Sequence, residues 1–239
     1  MSRRFVHTTP RLSAALDMLH GYKTIADIGC DHGRLTAALL QSGTCSKVVA
    51  SDISGASLDK ARVLIAHIGL SDRVSFRCGD GCSVLQPYEC DAIVLLGMGG
   101  TLMRRILEVC SVPLMGAKAI VLQPMRAQDE IREYLYLNGF HIADDRVVSD
   151  HVRLYQVLKA EPGTERDTIP DGFPDSFFDV GYRAFQNHDP LLPELCRQQL
   201  FFHDKMLKTA AGTAGESVIR SKTDTLREIL NRIDQGDSK

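Results

Sequence analysis

Acidic residues and glycines follow the first apolar run of the sequence in a spacing that suits a ligand. The segment from residue 24 to residue 35 runs from a strand through a turn into a helix. Asp27 precedes the turn, and Gly29, Cys30, Asp31 and Gly33 follow Asp27 in the sequence. Glycine lets backbone approach a ligand, and the N-terminus of a helix offers unpaired N–H groups. The D-x-G-x-x-x-G spacing differs from the G-x-G-x-x-G of dinucleotide-binding sites, and no P-loop motif is present. Because Asp27 and Asp31 would repel a phosphate, the turn favours a cationic or amino-bearing ligand.

Acidic residues recur after the next two apolar runs. Asp52 and Ile53 follow the second run, and Asp80 and Gly81 follow the third. Asp52 is placed to accept hydrogen bonds from both ribose hydroxyls of a nucleoside, with Ile53 beside it in the same site. Asp80 is placed to accept the adenine amino group, and Gly81 lets backbone approach the ring. S-adenosylmethionine fits these acids, since it has a sulfonium, an amino group and an adenosine but no phosphate. A tight turn without a ligand is the alternative.

The elements that position these residues follow from the apolar runs. A helix-compatible stretch follows each of five runs rich in Val, Ile and Ala, as is typical of parallel β-α units: 24–28, 47–51, 74–77, 92–96 and 117–122. After a helix over 127–138, the runs 140–148 and 151–158 are too close for anything but an antiparallel hairpin. Ligands bind at the carboxyl ends of parallel strands, so Asp31, Asp52, Asp80 and Gly97 should share one edge. These patterns predict an α/β, Rossmann-like sheet of the class I S-adenosylmethionine-dependent methyltransferase type.

A change of composition near residue 160 divides the chain into a domain over 1–160 and an appendage over 161–239. Residues 161–190 carry seven acidic residues against two arginines, which predicts an extended connector. Two helices are expected over 191–209 and 216–234, as a coiled-coil-like helical hairpin turning at Gly212 and Gly215. The seam of the second helix and the facing stripe of the first are, in turn, Ile219, Thr223, Leu226, Leu230 and Ile233, and Leu191, Leu195, Phe202 and Met206. Amphipathic helices packed on the main domain are the alternative.

A second glycine-rich turn follows the fourth strand, in the segment Cys90-Asp-Ala-Ile-Val-Leu-Leu-Gly-Met-Gly-Gly100. Together with Asp27-Ile-Gly-Cys-Asp-His32, Leu122-Gln-Pro124 and Leu135-Tyr-Leu-Asn-Gly-Phe140, it resembles the bacterial tRNA adenine-N1 methyltransferases that modify adenine 22. The resemblance extends through most of the chain. It implies a pocket for S-adenosylmethionine and the target base that includes Asp27, Gly29, Asp31, His32, Asp52, Asp80, Gly97, Met98, Gly99 and Gly100. Close packing of helix on sheet is the alternative for the glycines of the second turn.

Two positions depart from the family pattern. Met125 follows Pro124 where the family is expected to have Asn, and Arg34 stands where it usually has Tyr. The first departure leaves open whether this loop makes a polar contact with the base. The second removes a ring on which a base could stack. A shifted base pocket and a divergent branch of the family are both consistent with these changes.

The chemistry implied is direct transfer of a methyl group to N1 of an extruded adenine in tRNA. Neutral adenine has a lone pair at N1, so alignment and carboxylate stabilisation of the cationic product suffice without an obligatory general base. N1 lies on the pairing edge, so a paired adenine must leave its stack first. The catalytic candidates that orient the base are Asp31, His32 and Gln123. A helix-start role for His32 and a loop-capping role for Gln123 are the alternatives.

The net charge of −2, from 28 basic and 30 acidic side chains, by itself predicts no nucleic-acid partner. The connector alone has a net charge of −5, so the rest of the chain carries +3. Phosphate contacts need Lys and Arg, and the candidates for tRNA binding are Arg3, Arg4, Arg11, Lys23, Arg34, Arg126 and Arg132. A solvated charged surface is the alternative for each of them. We expect tRNA shape to contribute to recognition beside this modest charge.

The remaining composition argues against several classes of site. The seven cysteines form no C-x-x-C pair, so we expect mostly reduced thiols of a cytoplasmic protein and no metal site. No apolar run approaches the roughly 18 residues of a membrane span, so no membrane partner is expected, and a monomer is favoured. Methyl transfer to a small molecule, a protein or another RNA and a non-catalytic tRNA-binding module remain alternatives. The missing G-x-G-x-x-G disfavours a dehydrogenase.

Overall fold

A seven-stranded sheet forms the centre of the molecule, in a computed structural model that describes residues 6–110, 116–163 and 175–236. The strands are β1 (Thr24–Ile28), β2 (Lys47–Asp52), β3 (Val74–Cys78), β4 (Ala92–Met98), β5 (Ala119–Pro124), β6 (Phe140–Asp150) and β7 (Arg153–Pro162). Their order is β3-β2-β1-β4-β5-β7-β6. β1 to β5 pair in parallel, and β7 is antiparallel to both neighbours. The predicted mixed sheet is thereby confirmed, with the hairpin turn at His151 and Val152 rather than at 149 and 150.

Helices cover both faces of this sheet, which explains why the central strands β1, β4 and β5 are largely apolar rather than alternating. The helices are α1 (Pro10–Met18), α2 (Arg34–Gln41), α3 (Gly55–His67), α4 (Gly100–Val109), α5 (Gln128–Leu137), α6 (Tyr182–Gln186), α7 (Leu192–Ala210) and α8 (Ala214–Asp234). One buried cluster includes Leu95 and Leu107, and the other, on the opposite face, includes Ile25 and Leu39. Within the described ranges, no helix has the length and apolarity that a membrane span requires.

The order of the parallel strands reverses between β1 and β4. β1 pairs with β2 on one side and with β4 on the other, so the chain runs outward in both directions from this point. Such a reversal opens a crevice at the carboxyl ends of the two central strands, where open α/β sheets bind ligands. The loops after β1, β2 and β4 therefore meet at one edge.

Helix α1 is an element that the sequence did not predict. Thr9 caps it, because its side-chain oxygen accepts a hydrogen bond from the Leu12 N–H, and Pro10 occupies the first helical position. Ala15 and Met18 are buried against the sheet. The helix contacts β5, β6 and β7, so it brings Arg11 to the carboxyl end of β5.

The acidic connector is not extended where the structure describes it, which corrects the prediction. Residues 175–179 form a short 3-10 helix and α6 follows, and their apolar side chains are buried in a third cluster. This cluster joins Val147 of β6 to Leu195 of α7 and Leu226 of α8. The proposed division near residue 160 stays a prediction, but the two parts share this core.

The predicted helical hairpin is present as α7 and α8, but the stripe on α7 is partly wrong. Thr223 and Leu226 of the predicted seam are buried, as is Leu195 of the stripe. Phe202 and Met206 instead point to solvent, with 60% and 50% of their surfaces exposed. Helix α7 turns the face carrying His203 toward α8, since the His203 ring lies 3.4 Å from Thr223 Oγ1.

The cysteines give one pairing that the sequence did not predict. Cys82, in the short helix after β3, forms a disulfide with Cys110, which follows α4. The other five cysteines are free thiols, four of them buried. The expectation of mostly reduced thiols therefore holds for five of the seven.

Arg132 is buried and cannot contact a phosphate, which corrects its assignment to RNA binding. Its side chain is 1% exposed and its guanidinium makes a bidentate ion pair with Asp145, at 2.9 Å for the nearest atoms. It also donates to Gln156 Oε1 and, at 2.9 Å, to the Phe178 carbonyl. The guanidinium thus ties α5, the β6–β7 hairpin and the segment before α6 together.

Replacing Arg132 by Met should destabilise the protein strongly, because Asp145 would be left buried without its cation. We expect Arg132→Met to lower the free energy of unfolding by about 3–5 kcal/mol, as is usual when a buried pair loses one partner. Urea denaturation measures the change. The matched control is Arg104→Met, since Arg104 makes an exposed ion pair with Glu108 on α4. Equal losses of stability in the two variants would contradict the role assigned to Arg132.

Candidate active site

The loop after β1 is fixed against the end of β2. The N–H groups of Gly29 and Cys30 both donate to the Ser51 carbonyl at 2.8 Å. Gly29 has a φ of +73°, a left-handed conformation that favours glycine, and Asp31 follows at +47°. The Asp31 N–H donates to Asp52 Oδ2 at 3.0 Å. Asp31 and Asp52 are therefore neighbours, because the backbone N–H of Asp31 donates to the Asp52 carboxylate.

A cavity of about 210 Å³ opens between this loop, the end of β4, the end of β5 and helix α1. The predicted residues that line it are Arg11, Asp27, Gly29, Cys30, Asp31, His32, Arg34, Gly97 and Gln123. Four further residues complete the wall, namely Thr9, Leu12, Leu35 and Leu96. The reversal of strand order thus gathers side chains from positions far apart in the sequence around one space.

Asp27 supplies a buried negative charge at this cavity. It is 3% exposed, and Thr36 Oγ1 donates to its Oδ2 at 2.6 Å. Burial raises the pKa of Asp27 from 3.8 to about 6, although the Thr36 hydrogen bond lowers it, because a carboxylate loses its hydration inside the protein. At neutral pH the group is largely ionised. A ligand cation in the cavity would therefore be attracted to it at low local dielectric.

Asp52 is held in a fixed orientation at the end of β2. Its Oδ1 accepts the Ser54 N–H at 2.8 Å, while Oδ2 accepts the Asp31 N–H. A carboxylate oxygen has room for a second donor, so both oxygens remain available to the hydroxyls of a ribose. Ile53 lies beside it with 74% of its surface exposed. The geometry is compatible with the predicted cofactor roles of Asp52 and Ile53.

Asp31 and His32 lie at the mouth of the cavity. Their side chains are 71% and 46% exposed, and Asp31 Oδ1 lies 3.5 Å from His32 Nε2. Ser57 Oγ also lies 3.5 Å from that carboxylate, and Lys60 Nζ lies 3.2 Å from His32 Nε2. Both predicted base-orienting side chains are thus accessible to a ligand that enters from solvent, and their roles stay predictions.

Asp80 and Gly81 line a separate cavity of about 200 Å³. Leu102 and Ile106 of α4 form its apolar wall. The Gly79 N–H donates to the Asp52 carbonyl at 3.1 Å, so the loops after β2 and β3 are joined. An apolar wall facing a carboxylate is the arrangement that an adenine ring with an amino group needs. The structure places the predicted adenine residues apart from Asp27 but at the same edge.

The second glycine-rich turn approaches the first directly. Gly97 sits at a β-bulge with a φ of +77°, and the Met98 side chain lies so close to Gly29 that a Cβ there would collide with the Met98 methyl group. A Cβ at Gly99 would lie 3.2 Å from Arg126 Nε. Met98 therefore covers the glycine of the first loop, and a side chain at Gly29 would force Met98 to move and would be strained at this positive φ.

Gly33 and Gly100 lie where close packing leaves no room for a side chain, and their assignment to cofactor binding stays a prediction. A Cβ at Gly33 would lie 2.8 Å from the Cβ of Ala61 on α3. At Gly100 a Cβ would collide with the Ala127 carbonyl, and the Gly100 N–H donates to the Arg126 carbonyl at 2.8 Å. Neither residue lines the cavity. At Gly100, in the second turn, the contact with Ala127 is consistent with the alternative of close packing.

Gln123 lies at the base of the cavity, 1% exposed, with its amide held by three groups. Arg11 Nη1 donates to Gln123 Oε1 at 3.4 Å, and Gln123 Nε2 donates to the Pro124 carbonyl at 3.1 Å and to Met125 Sδ at 3.5 Å. Arg11 also forms an ion pair with Asp150 at 2.8 Å. Its assignment as a phosphate contact is corrected, because a carboxylate and the cavity wall occupy its guanidinium.

The other basic candidates divide into two groups. Arg34 is exposed and lines the cavity, and Arg126 is exposed beside Gly99. Lys23 is also exposed but precedes β1, so it lies at the opposite edge of the sheet and away from the cavity. Arg3 and Arg4 lie outside the described residues.

Several residues of this site carried no signal in the sequence. Thr36 hydrogen-bonds Asp27 from the first turn of α2, and Asp150 and Tyr155 come from the terminal hairpin to contact Arg11. The pair Thr9-Pro10 is a helix-start signal that would have placed Arg11 on a helix. Within the described ranges, no group of three or more His, Cys, Asp and Glu side chains is arranged to hold a metal ion.

The chain matches the family model described as a methyltransferase domain over residues 8–158, more than half of its length. Together with the sheet and the acidic edge, this match defines a methyltransferase with the class I fold. Among curated proteins, the tRNA (adenine(22)-N(1))-methyltransferase of Bacillus subtilis strain 168 is 33% identical over 162 residues, which are 68% of this chain and 68% of that protein. The chain belongs to the family of these bacterial tRNA (adenine(22)-N(1))-methyltransferases.

Solved structures show the same architecture over nearly the whole chain. The crystal structure of the B. subtilis m1A22 tRNA methyltransferase is similar with a TM-score of 0.85 and 27% identity, covering 94% of this chain and 99% of that one. A putative tRNA (m1A22) methyltransferase of Streptococcus pneumoniae, in complex with S-adenosyl-L-methionine, gives 0.82 and 21%, covering 94% and 100%. The likeness includes the C-terminal helices, since the coverage extends well beyond residue 158.

Replacing Asp27 by Asn should change how stability depends on pH. Because burial raises the pKa of Asp27 from 3.8 to about 6, the folded protein binds more protons than the unfolded chain between those values. Asp27 therefore makes the free energy of unfolding fall as pH rises from about 4 to about 6, and leaves it low above that window. We expect wild type to lose stability relative to Asp27→Asn across this window, measured by urea denaturation at several pH values.

The control for this experiment is Asp59→Asn, because Asp59 makes an exposed ion pair with Arg62 on α3. It should show no comparable change between pH 4 and pH 6. A stability difference between wild type and Asp27→Asn that is independent of pH would contradict the buried, ionising state assigned to Asp27.

Proposed function

We propose that this protein transfers a methyl group from S-adenosylmethionine to N1 of adenine 22 in tRNA. The observation that carries the proposal is the cavity at the reversal of strand order, which Asp27 and Asp31 line and beside which Asp52 accepts the Asp31 N–H, in a chain of this family. Three negative groups around a space without a phosphate-binding loop suit a cationic nucleoside ligand. Family membership supports adenine N1 as the acceptor.

The residues present fit S-adenosylmethionine by their chemistry. Asp27 would attract the amino group, Asp52 would accept the ribose hydroxyls, and Asp80 with its apolar wall would receive the adenine. When bound, the cofactor supplies an activated methyl group on a sulfonium. Met98 lies against Gly29 at this edge, where it would form a soft apolar wall beside the bound cofactor.

Methylation of adenine N1 releases no proton, which is consistent with a site that has carboxylates and no assigned general base. N1 of neutral adenine attacks with its own lone pair, so methylation makes a cationic base and no proton has to leave. A negative charge near the ring stabilises that cation as it forms. We assign this role to Asp31, which is exposed at the mouth of the cavity, and contact with the base edge to Gln123. Because N1 is on the pairing edge, the adenine must first be freed from any partner.

A larger cleft next to the cavity supports a role for the C-terminal helices in binding RNA. It measures about 770 Å³ and lies between Met125, the turn of the β6–β7 hairpin and α7. Arg153 and Arg197 line it, and so do Phe201 and Phe202, which are 57% and 60% exposed. Basic side chains bind phosphates and exposed aromatic rings stack on unpaired bases. Both features lie beside the loop that holds Gln123.

The direct test is methylation of an unmodified tRNA transcript that has adenine at position 22, with a matched transcript that has guanine there. After incubation with labelled S-adenosylmethionine, nucleoside analysis and mapping should find 1-methyladenosine at position 22 and no incorporation into the control. Incorporation confined to metabolites or protein would instead support the alternative substrates. Cofactor binding without transfer to any acceptor would support a non-catalytic module, and either outcome would contradict the proposal.

Reversing one charge in the cleft should weaken binding of tRNA without affecting the cofactor. We expect Arg197→Glu to lower tRNA affinity by about tenfold, the order for one lost and repelled phosphate contact, with unchanged affinity for S-adenosylmethionine. The control is Arg227→Glu, an exposed position on α8 that does not line the cleft. Filter binding of tRNA at fixed salt measures the affinity of each variant. Equal affinities of the two variants would show that the cleft is not part of the RNA-binding surface.

A further inference from the structure

Arg11 makes an unusual set of contacts for a residue that borders a catalytic cavity. Its Nε donates to Asp150 Oδ2 at 2.8 Å, and its guanidinium lies 4.3 Å from the centre of the Tyr155 ring. Asp150 is only 5% exposed and is also in contact with His151 Nδ1 at 2.8 Å. The Arg11 and His151 hydrogen bonds hold the pKa of Asp150 below its usual value. The Arg11 guanidinium is therefore held by its hydrogen bond to Asp150 and by its contact with the Tyr155 ring.

A fixed guanidinium determines which way the neighbouring amide points. A guanidinium only donates hydrogen bonds, so the group of Gln123 that faces Arg11 Nη1 at 3.4 Å must be the oxygen. The amide nitrogen then faces the Pro124 carbonyl and Met125 Sδ, which are both acceptors. A flipped amide would set donors against Arg11 and an acceptor against the Pro124 carbonyl. Arg11 thus excludes one of the two orientations.

The hydrogen-bonding capacity that remains on Gln123 is that of an acceptor. Its two N–H groups have partners within the loop, whereas Oε1 has two lone pairs, of which Arg11 uses one. An acceptor at the base of the cavity can receive an exocyclic amino group. Adenine has such a group at N6, directly beside N1, and guanine has the carbonyl O6 in the same place. Two acceptors facing each other cost binding energy, so this arrangement favours adenine.

We propose that Arg11 is a positioning residue that, held by Asp150 and Tyr155, orients the Gln123 amide so that its oxygen reads the N6 amino group of the target adenine. The inference rests on the proposed function, since it names how the same site recognises its base. Arg11 does not touch the substrate and acts through Gln123. The departure at Met125 contributes, because its sulfur accepts from the amide nitrogen and keeps that donor away from the base.

The test compares two tRNAs that differ in one functional group. The first has adenosine at position 22, and the second has purine riboside there, which keeps N1 but lacks the amino group. Because loss of the amino group also changes the basicity of N1, the informative quantity is the ratio of the two single-turnover methylation rates, compared between variants. This comparison cancels the intrinsic chemistry of the two bases.

In wild type, the adenosine-to-purine rate ratio should exceed that of Arg11→Met by about tenfold, the size of one hydrogen bond in a desolvated site. Gln123→Leu should give the same low ratio as Arg11→Met, and the double variant should give no further loss. Arg11→Lys keeps a cation for Asp150, but its single amine cannot pair with Asp150 and reach Gln123 as the guanidinium does, so its ratio should also be low. Affinity for S-adenosylmethionine and the midpoint of thermal unfolding check that each variant is folded.

The matched control is Arg62→Met. Arg62 forms an ion pair with Asp59 at 2.8 Å and lies 5.4 Å from the centre of the Phe76 ring, but it is on α3 and outside the cavity lining. It should keep the wild-type ratio. The inference would be overturned if folded Arg11→Lys or Arg11→Met kept the wild-type ratio, or if the losses from Arg11 and Gln123 were independent. Either result would leave the proposed function intact. Failure of wild type to methylate either tRNA would remove the proposed function itself, and the inference with it.

Discussion

The burial of one carboxylate, that of Asp27, is the constraint on which the site depends. A charge at the end of a central strand is costly unless something compensates it, and here Thr36 supplies a hydrogen bond at 2.6 Å while the pKa still rises to about 6. The fold tolerates that cost because strand order reverses at β1 and leaves a crevice at this point. A cationic ligand would supply the missing compensation. A bound cation would thus balance the negative charge that the fold buries at this cavity.

The site also requires the loops after β1 and β4 to approach each other closely, which their glycines make possible. Met98 lies against Gly29, and the backbone of Gly100 lies so close to that of Ala127 that a side chain at Gly100 would collide with it. Gly29 both turns the chain and admits Met98, whereas Gly33 and Gly100 bring helices close to their neighbours. A glycine-rich motif alone does not tell these uses apart.

Much of the fold could be predicted from local patterns because the strands are apolar on both faces, and runs such as 24–28 stand out for that reason. Helix α1 was missed, since a nine-residue helix has few turns and its place depends on the Thr9 cap. Burial of Arg132 could not be predicted, because residue type does not show that Asp145 lies opposite it across the fold. The stripe on α7 was partly wrong at Phe202, since the heptad seam of α8 does not fix the rotation of its partner.

Among site residues, the acidic residues at strand ends could be predicted from their spacing, whereas Asp150 and Tyr155 reach the site only through tertiary contacts.

The most direct test of the central claim is the affinity for S-adenosylmethionine of wild type and Asp27→Asn, measured by titration calorimetry at pH 7.5. If Asp27 provides the charge that receives the cofactor's amino group, the substitution should weaken binding by at least about thirtyfold, as for a desolvated charge pair that loses one partner, while the protein remains folded. Equal affinities in wild type and variant would contradict the account, because the buried carboxylate would then have no part in holding the cofactor.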